Sequence, residues 1–231
     1  MAFSIYSTKI EKFNFINEIK IKIKGGETQN ILNSEFYSPP DEILVNGENT
    51  TILSENIITN LNNGENIIIM KWNSKITIST DMFSELNNFI EVDLSNFDML
   101  EIERIDFMFY GCAFLTSINL NNLNAPFLTN MGGIFQEYES ILFLDLSSLI
   151  APNEENIGDM FSGCSSLKSI NFGNFQTSNV NNFIGLFSSC TSLESIDLSN
   201  FETNSVTNMG FMFADCTSLT SLNYPILEQK A

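Results

Sequence analysis

Apolar residues recur with a fixed period of 26 residues over the last two-thirds of the chain. Each copy begins with an apolar residue followed by phenylalanine, and the copies start at Met82, Met108, Ile134, Met160, Leu186 and Met212. A fixed period of about 20 to 50 residues is typical of proteins in which each copy forms one coil and contacts mainly its neighbours. We number the copies repeats 1 to 6, and their spacing predicts a solenoid.

Within each repeat, a short alternation of apolar and polar residues predicts one β-strand. In repeat 5, Ile196 and Leu198 are two residues apart, which is the pattern of a strand with one buried face. The remaining apolar positions, mostly phenylalanine, are expected to fill the interior of a return path. We therefore predict a β-rich solenoid with a leucine-rich-repeat-like parallel sheet that has one short strand per 26-residue coil.

The N-terminal third lacks the repeat but carries strand signals. The strict alternation from Glu18 to Lys24 precedes Gly25 and Gly26, which indicates a strand and a turn. A second strand, 43–45, precedes Asn46-Gly47, a hairpin signal. Residues 67–72 are predicted to be the first strand of the solenoid. We thus expect a small β-rich N-terminal cap over residues 1–65 and the solenoid over residues 66–231, with no recognisable second cap.

Charge is distributed unevenly along the chain, whose net charge is −18. Residues 1–80 hold nine acidic and seven basic side chains (9 − 7, net −2), whereas residues 81–231 hold nineteen and three (19 − 3, net −16). Such an acidic body repels phosphate backbones, so nucleic acid is not an expected partner. We expect no membrane span, because no run of about 20 apolar residues occurs. The first residues also lack the pattern of a secretory signal.

Few residues are suited to chemistry, because the chain has no histidine. Its cysteines occupy the fifth position of their repeats, a position filled elsewhere by Leu86 and Tyr138, so we expect buried free thiols: Cys112, Cys164, Cys190 and Cys216. No catalytic set or glycine-rich phosphate loop is recognisable. The sequence predicts a protein that is not an enzyme and that needs no cofactor.

One polar position between two buried strand residues alternates between aspartate and asparagine. It is expected to form an exposed row on the sheet face: Asp93, Asn119, Asp145, Asn171, Asp197 and Asn223. Carboxylate and amide oxygens suit Ca²⁺, but one oxygen per strand is a thin shell for an ion that takes six to eight. We predict no metal site, with calcium left as an alternative.

Departures from the repeat are the best candidates for a partner-binding surface, because an apolar residue at a normally polar position costs solubility. Phe114 and Phe143 stand where the other copies mostly have serine. The full candidate set lies in repeats 2 and 3: Phe114, Phe127, Tyr138, Leu142, Phe143 and Ile150. The alternative is that these irregular copies repack and bury them.

Several phrases resemble the repeat of BspA-like leucine-rich-repeat surface proteins, in their Asn- and Asp-rich branch. They are Ser199-Asn200-Phe201-Glu202-Thr203, Val206-Thr207-Asn208-Met209 and Met160-Phe161-Ser162-Gly163-Cys164. The resemblance covers about residues 66–227 and implies a cell-surface or secreted protein that binds host or matrix proteins. It carries no catalytic residues.

We therefore expect an adhesion or binding module that presents a repeat-built surface to a protein or glycan partner. One alternative is a structural subunit that assembles through an uncapped C-terminal edge of the solenoid into a fibre or coat. The other is a repeat scaffold inside a cell, which would suit free thiols.

Overall fold

The computed structural model describes residues 17–52, 56–121 and 123–224, and these residues form twelve β-strands and no α-helix. Six strands precede the repeats: β1 (Asn17–Lys24), β2 (Glu27–Asn30), β3 (Glu42–Val45), β4 (Glu48–Thr50), β5 (Ile57–Leu61) and β6 (Glu65–Trp72). Each repeat then contributes one strand: β7 (Phe89–Asp93), β8 (Ser117–Asn119), β9 (Phe143–Asp145), β10 (Ser169–Asn171), β11 (Ser195–Asp197) and β12 (Ser221–Asn223). The predicted β-rich fold, with one short strand per repeat, is confirmed. The described residues contain no helix that could cross a lipid bilayer.

Strand β1 connects the N-terminal region to repeat 1. Its isoleucines at 19, 21 and 23 are buried, as the alternation predicted. It pairs antiparallel with β6 on one side and with β7 on the other, in a sheet ordered β4-β3-β6-β1-β7-β8. The prediction that residues 67–72 form the first strand beside the repeats is therefore wrong. They belong to β6, which pairs with β1 over all eight residues.

The hairpin predicted at Asn46-Gly47 is present between β3 and β4. Asn46 and Gly47 have φ angles of 52° and 90°. Positive φ at both central residues matches the right-handed twist of the strands, which is why Asn-Gly favours this turn.

Residues 31–36 cover the start of the repeats. Ile31 and Leu32 are fully buried. The backbone N–H of Asn33 donates to the carbonyl of Met82 at 2.9 Å, and Asn33 Nδ2 donates to the carbonyl of Ser84 at 3.2 Å. In the following repeats the corresponding carbonyls accept N–H groups of the preceding repeat. Asn33 thus takes the place of a preceding coil.

Backbone hydrogen bonds join successive repeats at a constant register. The N–H of Phe83 donates to the carbonyl of Met108 at 3.0 Å, and that of Phe187 donates to the carbonyl of Met212 at 2.9 Å. The repeats between them make the same bond. A second line of parallel bridges, spaced 26 residues apart, runs through Ile78, Arg104, Asn130, Asn156, Asn182 and Asn208.

The strands of the repeats pair two by two. Within the described residues, β7 pairs with β8, β9 with β10 and β11 with β12, all in parallel. The N–H of Leu146 donates to the carbonyl of Asn171, but no such bond joins Leu120 to Asp145 across β8 and β9. The prediction of a continuous parallel sheet is therefore wrong. Each pair consists of an Asp-bearing strand followed by an Asn-bearing one, because only asparagine can donate a side-chain hydrogen bond to the neighbouring carboxylate.

Phenylalanine fills the interior, as predicted. Six rings stack along the repeats with centroids 5.4 to 6.2 Å apart and interplanar angles of 8° to 21°: Phe83, Phe109, Phe135, Phe161, Phe187 and Phe213. A second buried row lies on the return path: Phe97, Leu123, Leu149, Phe175 and Phe201. Offset stacking adds about 0.5 to 1.5 kcal/mol per aromatic pair beyond area burial. The aromatic column thus couples each repeat to the next.

Candidate functional site

Five of the six residues proposed for partner binding are exposed. Phe114 is 64% exposed, Leu142 57% and Phe143 52%. Ile150 and Phe127 are also more than half exposed. The alternative that repeats 2 and 3 repack and bury them does not hold for these five side chains.

Tyr138 does not belong to this surface, and its inclusion was wrong. It is fully buried because it fills the interior position that cysteine holds in repeats 2, 4, 5 and 6. Its ring stacks on Phe135 with centroids 5.9 Å apart. Burial raises the pKa of its hydroxyl, whose oxygen has no hydrogen-bond partner among the described residues.

Three of the exposed residues lie on neighbouring repeats around the gap between β8 and β9. Phe143 opens β9, and Leu142 precedes it and accepts a hydrogen bond from Lys168 N–H at 3.0 Å. Phe114 lies three residues before β8. We call Phe114, Leu142 and Phe143 the apolar patch. In repeats 4 and 5 the positions of Leu142 and Phe143 are polar.

The other two exposed residues occupy different parts of the coil. Ile150 forms an isolated parallel bridge with Asn124 and lines a shallow groove with Ser148 and Gln176. Phe127 lines a separate shallow groove with Asn153 and several further polar residues, Thr129, Glu155, Asn179, Asn181 and Ser205. The structure therefore divides the candidate set into the apolar patch and two outlying residues.

The Asp/Asn row runs along the strands as predicted, but its oxygens already have hydrogen-bond partners. Asp93 and Asn119 are half-buried, and the other four residues are exposed. Asn171 Nδ2 donates to Asp145 Oδ1 at 3.1 Å, and Asn119 Nδ2 donates to Asp93 Oδ1 at 2.9 Å.

In the same row, each side chain also accepts the N–H of the residue two positions later, as Asp145 does from Ser147 at 2.9 Å. Hydrogen bonds from Ser147, and then from Asn171, lower the pKa of Asp145. Ser199 and Asn223 lower the pKa of Asp197 in the same way. Among the described residues no group of three or more His, Cys, Asp or Glu side chains is arranged to hold a metal ion.

A second polar row, on the opposite side of the coil, was not recognised from the sequence as an amide ladder. Asn156 Nδ2 donates to Asn130 Oδ1 at 2.8 Å, and Asn182 Nδ2 donates to Asn156 Oδ1 at 2.7 Å. Each Oδ1 also accepts a backbone N–H two residues later, for example from Gly158 at 3.0 Å. The signal was the recurrence of asparagine two residues after the Val or Leu of each repeat.

The cysteines are free thiols, as predicted. Each Sγ lies 2.9 to 3.1 Å from the carbonyl of the phenylalanine that opens the preceding repeat, or the repeat before it, 29 residues earlier. Burial raises the pKa of Cys112 and of Cys190 to about 12 and that of Cys164 well above its ordinary value. Cys216 is only partly buried. Thiols in this state are poor nucleophiles, because the thiolate is the reactive form.

Glu154 was expected in a solvated turn with Glu155, and this expectation was wrong for Glu154. Its side chain is buried. Aligning the repeats at their period of 26 would have revealed it, since the equivalent residues are aliphatic.

Comparison with known proteins identifies one family. Residues 54–170 and 129–226 match the family described as Mycoplasma protein of unknown function, DUF285. Neither a curated protein nor a solved structure matches the chain. The matched residues include all six repeats and more than half of the 231 residues. The chain therefore belongs to the DUF285 family of Mycoplasma proteins of unknown function.

Proposed function

We propose that this chain is a non-enzymatic binding module of the cell surface, or a secreted one, whose apolar patch recognises a partner protein. The observation that carries the proposal is the exposure of Phe114, Leu142 and Phe143 on two neighbouring repeats. Exposed apolar side chains grouped at normally polar positions are a feature of interaction sites. A surface or extracellular location rests on the resemblance to BspA-like proteins alone.

In this proposal the six repeats form one continuous leucine-rich-repeat-like solenoid behind an N-terminal cap. The 26-residue register of the backbone bonds and the unbroken column of phenylalanine rings support that architecture. The column makes the coil a rigid support for the patch, because neither side of the column can move without unstacking its rings.

The size of the patch constrains its partner. Burying three large apolar side chains contributes roughly 1.5 to 3 kcal/mol each. Association costs an estimated 4 to 15 kcal/mol in lost translational and rotational freedom. The patch alone therefore gives weak binding, and a stable complex needs further contacts around it. Residues 81–231 carry a net charge of −16, so a partner with basic residues around an apolar centre fits best.

The inertness of the side chains supports a role other than catalysis. The chain has no histidine, and burial raises the pKa of all four thiols. The carboxylates of the Asp/Asn row already accept hydrogen bonds from backbone and amide groups. A glycan partner is the variant of the proposal that the groove beside Phe127 would serve.

The test is selection of binding peptides from a random display library on the immobilised protein. The selected peptides are then measured against the triple variant Phe114→Ser, Leu142→Ser, Phe143→Ser. We expect apolar, basic peptides whose affinity falls at least about tenfold in that variant. The control is Phe211→Ser, which removes a 77% exposed phenylalanine elsewhere on the fold. Peptides that bind the folded triple variant and the parent equally would refute the role of the patch.

Self-assembly is the second candidate, and the last described repeat favours it. Phe213, Cys216 and Leu219 are partly exposed there, whereas their equivalents in repeat 5 are buried. The bonding direction restricts how copies could join. Each repeat donates N–H groups from its Met-Phe segment toward the following repeat, so two such ends would bring donor against donor. At the other end, Asn33 already occupies the carbonyls of Met82 and Ser84.

A further inference from the structure

A glutamate occupies a core position of repeat 3. Glu154 is 1% exposed. The residues one or more periods away from it are all aliphatic: Ile76, Ile102, Leu128, Val180 and Val206. Replacing a buried aliphatic residue by a carboxyl group is costly unless its oxygens find partners.

Only one oxygen of this carboxyl group has partners. Oε1 accepts the N–H of Met131 at 3.1 Å and that of Asn156 at 3.0 Å. Oε2 is buried and has no hydrogen-bond partner among the described residues. The charged groups that act on it are Glu155 and Asp106, and both are acidic.

No cation compensates the carboxyl group within the part of the chain that the structure describes. The nearest candidate is Arg104, whose guanidinium is held by Asp106 through two bonds of 2.9 Å. Burial therefore raises the pKa of Glu154 to about 8, against the smaller opposing effect of the two N–H donors.

The hydrogen bonds to Glu154 are not needed to satisfy the backbone. Met131 N–H also donates to the carbonyl of Asn156 at 3.0 Å, and Asn156 N–H also donates to that of Thr129 at 3.3 Å. In repeat 4, Val180 fills the equivalent position without any acceptor. Glu154 thus adds a titratable group to the core rather than a required support.

We propose that Glu154 is a proton-operated switch in the repeat stack. The neutral acid keeps the turn at 151–156 packed between repeats 2 and 4. Loss of its proton in mildly alkaline solution drives Oε2 toward water and loosens that turn. The same turn supplies Asn153 and Glu155 to the groove beside Phe127, so proton binding controls the rigidity of that surface. This inference is independent of whether the apolar patch binds a partner.

The sign of the pH effect follows from linkage. The pKa of Glu154 is higher in the folded chain than its ordinary value of 4.5, so the folded state binds the proton more tightly. Stability is then greatest below about pH 4.5, falls as the pH rises toward about 8, and levels off above it. Within that range the unfolding constant rises about tenfold per pH unit. The chain has no histidine to titrate there. Asp81 and Asp159, whose pKa values burial also raises, are the other groups to compare.

The experiment is urea unfolding between pH 5 and 9 of the parent, Glu154→Gln and Glu154→Val, with Glu155→Gln as the exposed neighbouring control. We expect the parent and Glu155→Gln to lose stability with rising pH, and both Glu154 variants to lose much less. At pH 8 the Val variant should be the most stable. A parent with no pH dependence, or a Glu154→Gln variant with the parental slope, would overturn the proposal.

A second measurement needs no variant. The backbone amide NMR signals of Met131 and Asn156 in the parent should shift together with a midpoint near pH 8, and hydrogen exchange across 151–156 should accelerate above it beyond the intrinsic pH dependence. Amide signals that stay constant from pH 6 to 9 would contradict a titrating Glu154.

Discussion

The side-chain amide of Asn182 donates to Oδ1 of Asn156 at 2.7 Å, across two neighbouring repeats. Asn156 in turn donates to Asn130 at 2.8 Å, so each member of the ladder both donates and accepts. The residues are half-buried. A ladder of this kind specifies the register of the coils, because a one-residue slip would leave the amides without partners.

Replacing Asn156 by Ala should therefore destabilise the chain. The change removes the acceptor of Gly158 N–H and of Asn182 Nδ2, as well as the donor to Asn130. We expect a loss of about 1 to 3 kcal/mol in the free energy of unfolding, measured by urea denaturation. Asn174→Ala, which changes an exposed asparagine of the next repeat, is the control and should cost under about 0.5 kcal/mol. Equal losses in both variants would argue against the ladder.

Gly133→Ala should destabilise strongly, because Gly133 has a φ of 60° and its missing side chain makes room for a neighbouring ring. A Cβ at this position would overlap the ring of Phe107. The left-handed conformation alone costs alanine about 1 kcal/mol relative to glycine. We expect a loss above about 1 kcal/mol by thermal and urea unfolding.

The matched control for that variant is Gly64→Ala, since a Cβ on Gly64 would meet nothing within 4 Å. It should be neutral or slightly stabilising. A neutral Gly133→Ala would mean that Phe107 can leave Gly133 without loss.

The Asp/Asn row should make the chain acid-sensitive. The pKa of Asp145 is lowered by its bonds to Ser147 and Asn171, so its contribution to stability is present above its unfolded value of about 3.9 and is lost as the pH falls through the folded value. Asp145→Asn should therefore lose less thermal stability than the parent between about pH 5 and 3. Glu139→Gln, an exposed carboxylate in the same repeat, should follow the parent. A parental acid response in Asp145→Asn would refute this role.

The thiols should react in order of burial. In the folded chain we expect iodoacetamide to modify Cys216 slowly and the three buried cysteines hardly at all. In denaturant, without reductant, four adducts should appear by intact-mass spectrometry. Cys216→Ser should abolish the reaction of the folded protein. Rapid modification of four cysteines in the native state would show that the interior is open to solvent.

The repeats were predictable because period, strand position and core residues are all local consequences of one 26-residue pattern. The position of β1 was not, because its pairing with β7 joins residues about 70 apart and depends on long-range competition with β6. The alternation of 17–24 signals a strand but not its neighbours.

The candidate surface was partly predictable for a related reason. Phe114, Leu142 and Phe143 are exposed because they sit at outward positions of a repeat that the other copies keep polar. Tyr138 and Glu154 were misjudged because residue type was given more weight than repeat position. A tyrosine in the cysteine position and a glutamate in the valine position both follow the position and are buried.

The central claim is that the repeats present a recognition surface and do not build an assembly. Light scattering over a wide range of protein concentration tests this most directly. The account predicts a constant mass near the 26.0 kDa of a single chain. A mass that grows with concentration into rods or rings would contradict it and would make the end of repeat 6 an assembly interface.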